Sequence, residues 1–192
     1  MARTRSIFST VRPAAVGVLA AAVAIIATGC TATSSTPQAA PTSVVVPVAQ
    51  QRDTPNGSAN GLCFDPKSAL AQSALAKLPA APAGTWSVGQ TSNDPISSGC
   101  DGLLSWMMAD TNINHPYTQV LLFTGGAYLG TTTSDPYMFT MLTGHTRTSI
   151  SLTYHWTVGS DSMCCPQGGP SVVTFTLNGA TITANGQFPP HP

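Results

Sequence analysis

The stretch SVVTFTLNGATITAN, residues 171–185, reads as two strands joined by a tight turn. Val173, Phe175 and Leu177 alternate with Thr174 and Thr176, the period-two pattern of a strand with one buried face. Asn178-Gly179 follows, the strongest short signal for a β-hairpin. A two-residue loop there pairs Leu177 with Ala180, Phe175 with Ile182 and Val173 with Ala184. It also pairs Thr176 with Thr181 and Thr174 with Thr183. One face is then wholly apolar and the other wholly threonine, and this agreement of register supports the hairpin independently of its turn.

Upstream, SISLTYHWTV (149–158) alternates in the same way. Ile150, Leu152, Tyr154, Trp156 and Val158 face one side; Ser149, Ser151, Thr153, His155 and Thr157 face the other. QVLLFTGGAYLGTTT (119–133) reads as another hairpin, around Gly125-Gly126, with Leu122 opposite Leu129 and Phe123 opposite Tyr128. Its apolar residues on both faces place it mid-sheet. TWSVGQ (85–90) and GLLSWMMAD (102–110) are strand candidates, and PYMFTML (136–142) is ambiguous. FDPKSALAQSALAKLPA (64–80) has helical spacing at Leu70, Ala74, Leu75 and Leu78. Asp65 is placed to cap it, Pro66 to start it and Pro79 to end it. The expected architecture is α+β: one N-terminal helix packed on a mainly antiparallel β-sheet that ends in a C-terminal β-hairpin, supported by disulfides.

The N-terminus reads MARTRSIFSTVRPAAVGVLAAAVAIIATGC. Arg3, Arg5 and Arg12 form a basic region, and Ala14–Ala27 is uncharged and apolar. That run suits a secretory signal and falls short of the ~20 residues that span a bilayer. It stops at Thr28-Gly29-Cys30, which looks like a bacterial lipobox, although Ala27 stands where a large aliphatic residue is usual. Residues 1–29 are thus expected to be a lipoprotein signal peptide, and Cys30 the lipidated first residue of the mature chain. Two acyl chains anchor a protein stably where one does not. The expected location is the cell membrane, lipid-anchored on its extracytoplasmic face, with a secreted protein as the alternative. Residues 30–60, rich in Thr, Ser, Pro and Ala and without an aromatic residue, form the expected disordered tether. Residues 61–192 are the size of one domain.

Beyond the signal the chain carries four basic residues, Arg52, Lys67, Lys77 and Arg147, against seven Asp and no Glu. So few charges, with no basic cluster, argue against nucleic acid as a partner. No cofactor motif is present. Gly-x-Ser-x-Gly is absent, and the four histidines sit in loops or on a polar strand face. Asp65, Asp94, Asp101 and Asp135 stand in Asp-Pro or Asp-Gly turn contexts or beside Pro, so turn chemistry explains them. No catalytic residues are assigned. The face formed by Thr153, His155, Thr174, Thr176, Thr181 and Thr183 is the candidate binding surface.

QVLLFTGGAYLGTTTSDPYMFT (119–140) followed by CCPQGGPSVVTFTLNG (164–179) resembles the LppP/LprE family of actinobacterial lipoproteins. The resemblance covers roughly residues 61–188 and the lipobox. It implies a cell-envelope lipoprotein with a disulfide-supported domain, and it carries no catalytic residues with it.

Lipidation of Cys30 leaves Cys63, Cys100, Cys164 and Cys165, an even set for an exported chain. Adjacent side chains of an extended segment point apart, and Pro166 biases Cys165 toward that conformation. Cys164 and Cys165 are therefore expected to take different partners, one bonding Cys63 and the other Cys100. A bond between the two neighbours would close a small strained ring. A zinc site is disfavoured because no Cys-x₂-Cys pair exists. The functional expectation is a non-catalytic module that binds an envelope protein, lipid or glycan. The alternatives are a carrier of an apolar ligand and an envelope enzyme with an unrecognised site.

Overall fold

The structure, a computed structural model, describes residues 54–191. The expectations for the signal peptide, for Cys30 and for the tether up to residue 53 lie outside the described residues. In chain order the elements are helix α1 (Ala69–Leu75), then strands β1 (Trp86–Thr91), β2 (Ser105–Thr111), β3 (Tyr117–Thr124), β4 (Ala127–Thr131) and β5 (Tyr137–Met138). Strands β6 (Thr140–His145), β7 (Ser149–Trp156), β8 (Gly168–Asn178) and β9 (Thr181–Gly186) follow.

The domain is largely β, which corrects the expected balance of one helix and one sheet. Two antiparallel sheets are present. The first has the order β1-β2-β3-β4, with the short β5 also paired to β3; the second is the meander β6-β7-β8-β9. They face each other across a core of Leu104, Trp106, Met108, Val120, Leu122 and Tyr137 from the first half. Ile150, Leu152, Tyr154, Val173, Phe175 and Leu177 come from the second. The other face of the first sheet buries Met107, Ala109, Leu121 and Phe123 against Phe64, Ala71 and Ala74. Strands β2 and β3 are thus covered on both sides, which is why they read as continuous apolar runs.

The helix is shorter than its apolar stripe suggests. Asp65 is buried and does not cap it: one carboxylate oxygen accepts from Lys67 N at 2.8 Å and the other from Asn60 Nδ2 at 2.7 Å. Ser68 takes the capping role, its hydroxyl accepting from Ala71 N. At the other end Lys77 N and Leu78 N reach back only three residues, to Ala74 and Leu75, so the helix tightens and stops ahead of Pro79. Together with Phe64 the helix covers one face of the first sheet, and the second sheet covers the other.

Two turns set the strand registers. Gly125 and Gly126 both have positive φ (53° and 79°), as a type I′ turn demands, and place Phe123 opposite Tyr128. An irregularity after Leu122 then sets that residue opposite Gly130, where Leu129 was expected. In the last pair the loop is Gly179-Ala180, one residue later than Asn178-Gly179. Gly179 has φ 65° while Asn178 stays in the strand, the pattern of a turn with glycine at its first central position. The pairs are consequently Leu177–Ile182, Phe175–Ala184 and Thr176–Thr183. A shift of two residues along one strand preserves the side each residue faces.

Residues 55–60 join the folded unit, ahead of the expected boundary at 61. Asp65 N donates to Gly57 O at 2.8 Å, and Asn56 Nδ2 reaches Gly126 O at 3.4 Å. Cys63 and Cys100 form a disulfide with each other, 37 residues apart. The expected cross-pairing to Cys164 and Cys165 is therefore corrected: those two remain thiols, exposed in the loop between β7 and β8. Burial explains the outcome. Cys63 is set beneath the loop of residues 94–99, with its N donating to Asp94 O, whereas the β7–β8 loop stands in solvent. Arg147, in the β6–β7 turn, holds the same loop by donating to Gly99 O at 3.0 Å and Asp101 O at 2.8 Å.

Replacing Cys63 and Cys100 by Ser is expected to lower unfolding free energy by ~2–4 kcal/mol in denaturant titration, while Cys164→Ser and Cys165→Ser leave it unchanged. A second expectation concerns Tyr154. Its hydroxyl is buried without a hydrogen-bond partner, and burial pushes its pKa up to about 12, with Thr132 beside it acting the other way. The folded state holds the proton more tightly than the unfolded chain, whose tyrosine titrates near 10.0. This contribution is intact below pH ~10 and is lost as pH rises through ~12. Tyr154→Phe should raise stability at neutral pH by about 1 kcal/mol and flatten the alkaline limb of a thermal-midpoint against pH series.

Candidate functional site

The strand ends at one side of the sandwich form an open groove of about 430 Å³. Tyr117 enters from the start of β3, Tyr137 and Met138 from β5, and His155 and Trp156 from the end of β7. Phe139, Thr157, Met163, Pro190 and His191 complete the lining. The groove contains four aromatic rings, two thioethers and two imidazoles, and no Lys, Arg, Asp or Glu.

Its walls follow from the fold. The pairing of β3 with β5 sets Tyr117 opposite Met138. Phe139 lies between β5 and β6, where the chain leaves the first sheet for the second, and it adopts φ 53°. His115 also has positive φ, 60°, and its ring centroid lies 5.8 Å from that of Phe139. Two non-glycine residues in the left-handed region, at a cost of ~1–3 kcal/mol each, persist only where their surroundings over-determine them. The main chain helps: His155 N donates to Phe139 O at 3.3 Å.

Trp156 departs from its expected place in the core. The pairing of β7 with β8 shifts between Tyr154 and Trp156, so the indole turns toward the groove. Gly168 lies directly against it, and a Cβ there would overlap the indole ring and the Trp156 carbonyl. Val158, expected on the same buried face, lies past the strand end and is 53% exposed. Tyr137 is buried at the groove floor and meets Tyr154 edge-on at 5.6 Å. Desolvation, together with the charge of Asp135, pushes its phenol above the ordinary range. The C-terminal segment crosses beside it. Phe188 stacks edge-on with Phe175 at 6.0 Å, and His191 Nδ1 lies 3.4 Å from Asp135.

The six candidate residues lie on the outer face of β7, β8 and β9, where Thr153 is itself buried and most of the hydroxyls bond to neighbouring side chains or main-chain carbonyls. Thr153 meets Thr143 at 2.9 Å, and Thr174 meets Ser151 at 2.9 Å. Asn178 Nδ2 donates to Thr183 Oγ1, Thr183 Oγ1 donates to Thr176 O, and Thr181 Oγ1 donates to Asn178 O. Exposed Met141 and Val172 flank Thr153 in register on the same face. Of the six candidate residues, only His155 belongs to the groove. Tyr117, Tyr137, Phe139, Trp156 and Met163 were missed. A signal for them exists in the sequence: aromatic residues next to Pro or at the end of an alternating run, as in HPYT, DPYMF and HWTV.

Among the described residues, no group of three or more His, Cys, Asp or Glu is placed to hold a metal ion, and no helix is long and apolar enough to cross a membrane. No curated protein and no solved structure matches the chain. The family model described as LppP/LprE lipoprotein matches residues 101–180, a span that runs from the approach to β2 through β8 to the final turn and carries the lining of the groove from Tyr117 to Met163.

Proposed function

We propose that the protein is a membrane-anchored lipoprotein of the cell envelope, tethered through Cys30, whose domain is a non-catalytic binding module with the aromatic groove as its ligand site. The groove is the observation that carries the reading. Concave, mostly apolar surfaces with a few polar groups are the usual form of a ligand site. Aromatic rings supply large contact area at low conformational cost, and Tyr and His add hydrogen bonds at their edges. With no charged side chain except through histidine, the groove suits a neutral ligand with an apolar face: an envelope lipid, glycan or uncharged protein segment.

Two features favour this reading over its rivals. A carrier needs a hollow to enclose its ligand, and between the sheets Leu152, Val173 and Leu122 meet with almost no exposure. An envelope enzyme needs acid, base or nucleophile groups that converge in its cleft. The pair nearest the groove, His191 and Asp135, is solvated, with side chains 86% and 48% exposed. The LppP/LprE match supports lipidation, which agrees with Thr28-Gly29-Cys30 in the sequence.

Two outcomes are expected. Cys30→Ala should move the protein from the membrane fraction to the soluble fraction, and mass spectrometry of the wild-type N-terminus should find diacylglyceryl on Cys30; an unmodified N-terminus sinks the anchor. Trp156→Ala and Tyr117→Ala should each weaken co-sedimentation with isolated envelope material by ~10-fold, on the scale of one aromatic contact. Thr176→Val and Thr183→Val should leave it unchanged. Equal losses in both pairs of variants, or none in either, would count against the groove.

A further inference from the structure

The β7–β8 loop carries the one feature of the sequence that the groove does not explain, the adjacent thiols. The loop is closed by a single carboxylate oxygen: Asp161 Oδ2 accepts from Val158 N and from Gln167 N, both at 2.8 Å. Its tip is tied by Cys165 N donating to Ser162 O at 2.9 Å and by Gln167 Nε2 donating to Cys165 O at 3.0 Å. These bonds hold the loop without any help from the sulfurs. Within it the sulfurs do not point apart, as neighbours in an extended strand would. Cys164 Sγ and Cys165 Sγ lie 2.7 Å from each other, and both residues are exposed. Cys63 and Cys100 are already bonded, so among the described residues each of these thiols has only its neighbour as a partner.

We propose that Cys164 and Cys165 are a reversible redox site that closes to a vicinal disulfide by exchange with a small disulfide of the glutathione type. Three conditions for such a site meet here: two sulfurs in contact, open access for a small oxidant, and a loop backbone fixed by other bonds. Both thiols are open to solvent and touch each other, and the exchange is written with Cys164 as the first nucleophile. The Cys164 thiolate attacks one sulfur of the oxidant, whose S–S bond breaks. The first thiolate leaves and takes up a proton. Cys165 then loses its proton and attacks Cys164 Sγ in the mixed disulfide, expelling the second thiolate, which is protonated in turn. Two cysteine thiols lose two electrons and form one S–S bond; the oxidant gains them and becomes two thiols.

The consequence for function rests on the groove being the ligand site. Met163, one residue before the pair, lines the groove, and Trp156 lies at the foot of the same loop. Ring closure constrains the peptide between residues 164 and 165, and with it the wall that Met163 forms.

The full-length protein, treated with oxidised glutathione and then alkylated, decides the matter by peptide mass spectrometry. The expected result is a peptide bearing both cysteines that is lighter by two hydrogens, unalkylated and linked to no other peptide; dithiothreitol restores two alkylatable thiols. Cys164→Ser should stop instead at a stable glutathione adduct on Cys165. Full alkylation after the oxidant, a lasting adduct on the wild type, or linkage to a second chain would each overturn the redox site. Envelope co-sedimentation of the oxidised and reduced forms tests the consequence separately. A several-fold difference is expected. Equal binding that still responds to Trp156→Ala would reject the control by the loop alone. Binding that ignores Trp156→Ala would reject the groove and leave the thiol result standing.

Discussion

The burial of Leu152, Tyr154, Val173 and Phe175 against Trp106, Met108 and Leu122 is the constraint on which everything else depends. Each sheet has an apolar face that water disfavours, and at roughly 1.5–3 kcal/mol per fully buried large side chain neither sheet is stable with that face open. A helix of seven residues covers one outer face of the first sheet and no more. The two sheets must therefore pack on each other, which makes the chain a sandwich with a helix on one flank. Tyr154 shows how tightly the space is filled: its ring is needed in the layer, and its hydroxyl is carried into the core without a partner.

Closing the sandwich creates the groove. The chain has to pass from one sheet to the other, and it does so within a few residues at Phe139. The corner takes up a positive φ, 53°, at Phe139. Tyr117 and Trp156 are left half-buried at the rim, above the buried Tyr137. Gly168 admits Trp156 by offering no side chain. The groove is in this sense the exposed end of the core, and its aromatic character follows from the residues that make the core.

Much of the β structure could be read from the residues. Alternation in 149–156 and 171–177 identified the two central strands of the second sheet and the faces they bury, since a period of two is a local property. Apolar residues on both faces of 119–123 announced a strand covered on both sides. The turn glycines were visible, yet the last hairpin was misread by two residues. Asn-Gly and Gly-Ala turns are both local possibilities, and the choice between them rests on whether Asn178 serves better as a strand end. The helix is shorter than its apolar stripe because Ser68 caps its start in place of Asp65, and the stripe runs on to Leu78 through the tightened turn after Leu75. The cysteine pairing failed for a different reason. The preference of neighbours to face apart belongs to extended chains, and Asp161 folds that segment into a loop.

The residues alone were enough to identify antiparallel strands and to assign the inner and outer faces of the central ones, because both depend on periodicity or a short motif. Tertiary structure decided that there are two sheets, that Cys63 bonds Cys100, that Trp156 leaves the core and that the sulfurs of Cys164 and Cys165 touch. Each of these depends on which distant segments meet. That is settled by the mutual burial of whole faces, a property no single stretch of the chain contains.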